Sequence, residues 1–199
     1  MCGQLHSARP AQETRKAVAL QEAALSAIEA GKARQTIPLE LALCSVRSLW
    51  NVGSIFRTAE GLGISHIHLL GFTPTPENPR LARTALGAER VVPWTHYPDL
   101  VSGLELIQSR AQLIALERGQ GARSLEEVQL TPPTCLLLGN EVVGLDEEVL
   151  ARTDHWAEIS MYGAKASLNV AVAAGIACHT LGDRVRFQGT ERSGACLVP

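Results

Sequence analysis

The sequence predicts an α/β fold built on a mostly parallel sheet flanked by helices. Three observations carry that prediction. Short apolar runs of about four to eight residues recur along the chain, each closed by turn residues, as buried parallel strands require. Most of these runs lead into a segment with apolar residues at helical spacing, the alternation that builds a parallel sheet. Hydrophobic residues make up 46% of the chain and aromatic ones only 4%, so aliphatic side chains and alanine must fill the core.

Residues 1–10 carry no periodic pattern. Ala11 to Ala30 is rich in Ala, Glu, Gln, Leu and Lys, all strong helix formers, and Val18, Leu20, Ala24, Leu25 and Ile28 give a partial apolar stripe. Gly31 stops this helix, which packs on the domain or on a partner subunit. A second reading makes Arg15, Lys16, Lys32 and Arg34 a grip on nucleic acid. Leu39 to Val46 reads as the first strand. After the loop Arg47-Ser48-Leu49-Trp50 a helix runs from Asn51, a good N-cap by type, to Gly61 or Gly63. Val52, Ile55, Phe56, Ala59 and Leu62 form its buried face. Arg57 projects about 100° from Phe56, on the flank, and can reach a cleft at the sheet edge while the helix stays packed.

His66 to Gly71 is the second strand and Thr73-Pro74-Thr75-Pro76 a turn. Leu81 to Glu89 is a short helix or lid bracketed by Arg80, Arg83 and Arg90. Val91 to Tyr97 is a third strand that Pro93 pushes to an edge or breaks. Asp99 to Ser109 is helical, Gln112 to Glu117 is a strand, and residues 119–133 form a connector. The last two strands are Cys135–Leu138 and Ala157–Met161. One closes in Gly139-Asn140-Glu141 with Gly144, the other in Tyr162-Gly163-Ala164-Lys165. Ligands bind outside the carboxyl ends of strands in open α/β sheets, so these two loops are expected to wall one pocket with backbone groups.

At 199 residues the chain is one domain with at most a small appendage. A chain of that length buries roughly 70% of its unfolded surface and needs no disulfide or metal to fold. Its five cysteines (Cys2, Cys44, Cys135, Cys178 and Cys196) are odd in number and lack C-x-x-C spacing. Three sit in apolar runs, which points to buried reduced thiols and a cytoplasmic protein. No secretory leader and no apolar run long enough for a membrane span is visible. The net charge of −2 does not advertise a nucleic-acid binder, yet 15 of the 18 basic residues are arginine, which suits phosphate contact. There is no G-x-G-x-x-G after the first strand, no P-loop and no G-x-S-x-G elbow. His66 and His68 share a strand face without a Cys or carboxylate at matching spacing, so no metal is expected.

Three stretches in order resemble the motifs of the SpoU (TrmH-like) RNA ribose methyltransferases of the SPOUT superfamily. They are Asn51-x-Gly53-x-x-x-Arg57-Thr58-Ala59, Leu138-Gly139-Asn140-Glu141-x-x-Gly144, and Ile159-x-Met161-x-Gly163 followed by Ser167-Leu168-Asn169-Val170 and an alanine-rich helix. The resemblance covers about residues 39–182. It implies a deep C-terminal trefoil knot, a homodimer with composite active sites, and S-adenosyl-L-methionine as cofactor. The implied reaction transfers a methyl group to a ribose 2′-hydroxyl of tRNA or rRNA. The implied organisation is an amino-terminal helical extension over 1–36, the methyltransferase domain over 37–187 and a short tail over 188–199.

By position, the resemblance implies cofactor contacts at Leu138, Gly139, Asn140, Gly144, Ile159, Met161, Gly163 and Leu168, with Leu116 lining the same pocket. It implies a catalytic Arg57 and polar site residues at Asn51, Glu141, Ser167 and Asn169. The positive charge of Arg47, Arg80, Arg83 and Arg90 makes them the expected RNA contacts. Each residue has a plainer reading. Asn51 is also an N-cap by type. Glu141 suits a cap of the helix near Asp146 or a brace for the knot. Ser167 suits an N-cap with Asn169 in its first turn, and the three late arginines suit a solvated face. The first motif departs from the family's Arg-Asn-Pro-Gly-Asn, reading Arg47-Ser48-Leu49-Trp50-Asn51, which implies an altered substrate pocket. A non-catalytic RNA-binding dimer and a base methyltransferase on the same fold are the alternatives.

Overall fold

The apolar runs form strands close to where their composition puts them. In the computed structural model, which describes residues 34–193 with Ala19 and Ser26 and side chains as far as Arg186, seven strands make one sheet. They are β1 (Ile37–Cys44), β2 (Ile64–Leu70), β3 (Trp94–Tyr97), β4 (Gln112–Leu116), β5 (Arg123–Ser124), β6 (Thr134–Leu138) and β7 (His155–Glu158). Their order is β3-β2-β1-β6-β4-β7-β5, and every neighbouring pair is parallel. The helices are α1 (Leu49–Leu62), α2 (Pro79–Ala85), α3 (Leu100–Gln108), α4 (Glu147–Leu150) and α5 (Val170–Ser193), with a 3-10 turn at Ala88–Arg90. The chain divides into two compact units, Met1–Gln35 and Thr36–Pro199, and the sheet belongs to the second. The helix expected over 11–30 lies outside the described residues apart from Ala19 and Ser26, as do Arg15, Lys16 and Lys32.

Side chains alternate across the strands and fill two cores. Leu39, Leu41 and Leu43 of β1, with Leu136 and Leu138 of β6, pack under α1, α2 and α5. Ala42 and Cys44, with Leu113, Ala115, Cys135 and Leu137, pack on the other face against Leu104 and Ile107 of α3. Cys44, Cys135 and Cys178 are free and buried, and burial pushes the Cys44 and Cys178 thiols up to about 12. No helix among the described residues is long and apolar enough to cross a membrane.

Several expected boundaries move, each for a local reason. The N-cap of α1 is Ser48, whose Oγ accepts from the Asn51 N–H at 3.3 Å, so Asn51 lies inside the first turn. Its C-cap is Gly63, at φ 73°, where a left-handed backbone favours glycine. Asn169 rather than Ser167 caps α5: its Oδ1 accepts from the Ala171 N–H at 2.9 Å. Val91 and Val92 follow the 3-10 turn, and β3 begins only after Pro93, as an edge strand. β7 ends at Glu158, so Ile159 to Met161 leave the sheet. The connector over 119–133 contains β5, a polar two-residue strand that no apolar run announces. Tertiary anchoring accounts for it: the Arg184 guanidinium of α5 donates to the Leu125 and Val128 carbonyls at 2.6 and 2.7 Å, just beyond that strand.

The second face also holds a polar cluster. The Arg110 guanidinium donates to both oxygens of Glu40 at 2.8 Å, and His68 Nε2 lies 2.8 Å from Glu40 Oε2. The ligating atoms of Glu40, His68 and Cys135 lie within 4.8 Å of one another, a grouping that sequence spacing did not reveal. The guanidinium fills the cationic role there: it neutralises the carboxylate and sits 3.0 Å from His68 Nε2. Burial alone would raise the Glu40 carboxyl, but the hydrogen bonds from His68 and Arg110 outweigh it and hold the pKa at about 2.

Candidate active site

The carboxyl ends of β1, β4, β6 and β7 open into loops, and three of these loops wall a cavity of about 610 Å³, within the size range of small-molecule sites. The loop after β6 turns back on itself. Asn140 and Gly144 exchange backbone hydrogen bonds at 2.9 Å each way. Gly139 is packed so closely against the Gly144–Leu145 backbone that a Cβ there would overlap it, and Gly144 adopts φ 73°. The Asn140 Oδ1 accepts from the Val142 N–H at 2.9 Å, while its Nδ2 donates to the Ser45 carbonyl at 2.9 Å, fastening this loop to the exit of β1.

Glu141 completes that link. Its carboxylate accepts from the Arg47 and Ser48 N–H groups at 3.0 Å each and from Asn51 Nδ2 at 2.9 Å. It therefore sits at the amino end of α1, where the helix dipole and unpaired N–H groups favour an anion. Burial would raise its pKa, but these donors outweigh burial and hold the carboxyl below its ordinary value. Asn51 Oδ1 in turn accepts from Asn169 Nδ2 at 3.1 Å. A hydrogen-bonded line thus runs Glu141–Asn51–Asn169 and joins the start of α1 to two stretches that lie 90 and 118 residues further along the chain. Glu141 does not cap the helix at Asp146, which has no side-chain cap.

Of the expected cofactor residues, Leu116, Leu138, Gly139, Asn140, Gly144, Ile159, Met161 and Leu168 all line the cavity, as do Glu141, Ser167 and Asn169. Gly163 does not line it, and Asn51 touches the lining only through its hydrogen bonds. Arg57 is exposed on α1, outside the lining, and its side chain makes no hydrogen bond or ion pair among the described residues. Arg80, Arg83 and Arg90 are exposed as well. α2, which carries the first two, packs on α1 at Gly53, where a Cβ would meet Thr84 and the Leu81 carbonyl. The Arg47 guanidinium stands 6.0 Å from the centre of the exposed Phe72 ring.

Sequence reasoning missed Glu117, Arg118 and Glu158, which also line the cavity. Glu117 Oε2 accepts from the Leu145 N–H at 3.1 Å and so braces the β6 loop. Arg118 Nη1 donates to the Ala166 carbonyl at 2.8 Å and braces the loop before α5. The available signal was position: Glu117 and Arg118 follow directly on β4 and Glu158 ends β7, at the edge of the sheet where sites form.

With this geometry in place, comparison with known proteins decides the family. The profile described as "SpoU rRNA Methylase family" matches residues 38–179. The chain belongs to the SpoU rRNA Methylase family. A 23S rRNA (guanosine-2′-O-)-methyltransferase RlmB from Pseudomonas aeruginosa is 31% identical over 140 residues, 70% of this chain and 56% of that protein. A tRNA (guanosine(18)-2′-O)-methyltransferase from Thermus thermophilus is 33% identical over 156 residues, 78% of this chain and 79% of that one. Among solved structures, an AdoMet-bound rRNA methyltransferase from Sinorhizobium meliloti superposes with a TM-score of 0.66 at 30% identity, covering 73% of this chain and 56% of that one. The chain thus spans little more than half the length of the first and third of these SpoU relatives. All three SpoU motifs fall within the matched region.

Proposed function

We propose that this SpoU family chain transfers a methyl group from S-adenosyl-L-methionine to a ribose 2′-hydroxyl of tRNA or rRNA. The observation that carries the reading is the Glu141–Asn51–Asn169 line, which binds the three motif stretches into one polar mouth over the cavity. The cavity suits the methyl donor. Leu116, Leu138, Ile159 and Leu168 supply aliphatic wall for an adenine ring, and the β6 loop supplies backbone groups for its edge. Glu117, Glu141 and Glu158 outnumber Arg118 in the lining, which favours a ligand carrying a sulfonium and an ammonium. When bound, that ligand supplies an already activated methyl group.

The chain's own task is then to bring in the acceptor oxygen and orient it. Asn51, Ser167 and Asn169 offer hydrogen-bonding groups at the mouth. Arg57 holds the phosphate beside the target ribose and stabilises negative charge developing on the oxygen, the part a permanently cationic guanidinium is suited to play. Since Arg57 is exposed and does not line its own cavity, we assign it to the cavity of a second copy in a homodimer. The exposed Trp50 of α1, with Val172 and Ile176 of α5, supplies the apolar surface for that pairing. Arg47, Arg80, Arg83 and Arg90 extend the cationic surface toward RNA. The insertion of β6 between β1 and β4, with α5 packed back against α1, supports a trefoil-knotted carboxyl end. The buried free thiols suit a cytoplasmic protein.

Calorimetry and a transfer assay together test the reading. The wild type should bind S-adenosylmethionine saturably. Arg57→Ala should keep that affinity within about twofold while methyl transfer to unmodified RNA falls by about 100-fold or more. Absence of cofactor binding, or a fully active Arg57→Ala, would overturn it.

A further inference from the structure

We propose that Arg118 recognises the carboxylate of the methyl donor's amino-acid moiety; this rests on the cofactor reading above. Four charged side chains line the cavity (Glu117, Arg118, Glu141 and Glu158), and Arg118 is the one cation among them. S-adenosylmethionine carries a single anionic group, so the complementary pair is unique on both sides. The neighbouring acids already have partners: Glu117 accepts from the Leu145 N–H and Glu141 from Arg47, Ser48 and Asn51.

Arg118 is also held in place. Its Nη1 donates to the Ala166 carbonyl at 2.8 Å, across 48 residues of chain, from the exit of β4 to the loop before α5. That bond uses one of the five N–H groups of a guanidinium. The others make no hydrogen bond among the described residues. A guanidinium fixed at one corner with its remaining donors free is pre-organised for a carboxylate, which it meets as a planar fork.

A plain structural brace and a carboxylate reader make different predictions, and a truncated ligand separates them. Calorimetric titrations of the full chain would use S-adenosylmethionine and its decarboxylated analogue, which keeps the adenosine, the sulfonium and the amine. Arg118→Gln should weaken binding of the intact cofactor by about 10- to 100-fold and that of the analogue by less than about twofold. Arg118→Lys, which keeps the charge without the fork, should fall between. Equal weakening of both ligands would reduce Arg118 to a loop brace, and unchanged affinity for the intact cofactor would remove it from the site; either result overturns the proposal. A wild type that binds neither ligand would sink the cofactor reading itself.

Discussion

Glu141 shows how one side chain can serve both fold and site. Its carboxylate receives two backbone N–H groups and the Asn51 amide, so the end of α1 and the β6 loop share one anion. The residue type and its place in the motif were legible in the sequence. Its partners were not, because they lie about ninety residues away, and only the closed sheet brings them together. Asn51 illustrates the opposite error: its type fits an N-cap, but Ser48 takes that role and frees the amide for Glu141 and Asn169. The Glu40 cluster was invisible for the same reason as the Glu141 contacts. Its folded pKa of about 2 lies below the ordinary 4.5, so it contributes stability above pH 4.5 that is lost as the pH falls through about 2. His66, which burial and then the neighbouring His68 lower from 6.5 to about 4, acts in the same direction between those two values. The stability gap between the wild type and Glu40→Gln, up to about 3 kcal/mol at neutral pH, should therefore shrink from pH 5 to pH 3 in urea melts. A gap that stays constant would contradict the assigned role of the carboxylate.

Among the elements, those with strong apolar period were readable: β1, β2, β4, β6, α1 and α3 lie within two residues or so of their expected bounds. β5 was not, since its two polar residues pair with β7 beside a connector anchored by Arg184. The loop from Gly139 to Leu145 is where local chemistry decides the cavity's shape. Gly139 has no room for a side chain, because the backbone of Gly144 and Leu145 occupies the space a Cβ would need. Gly139→Ala should force the loop open by displacing backbone rather than a pliable side chain, weakening cofactor binding at least about tenfold while the unfolding midpoint, set by the two cores, changes little. Full affinity in that variant, measured by calorimetry, would show that the loop is not the wall we describe.

At the scale of the whole molecule, parallel pairing puts every strand's carboxyl end on one edge, and that is why motifs far apart in sequence meet there. Fold class follows from periodicity, and the three motif positions from the resemblance to the SpoU family. The placement of Arg57 outside the cavity does not, because helical spacing puts it on the flank of α1 without saying which loops close over the neighbouring strand ends. The convergence of the three motifs on one methyl-donor site is tested most directly by mapping ribose 2′-O-methylation across total RNA from cells with and without the gene. A specific methylated nucleotide should disappear without the gene, return with the wild type, and fail to return with Arg57→Ala. An identical methylation map in all of these cells would contradict it.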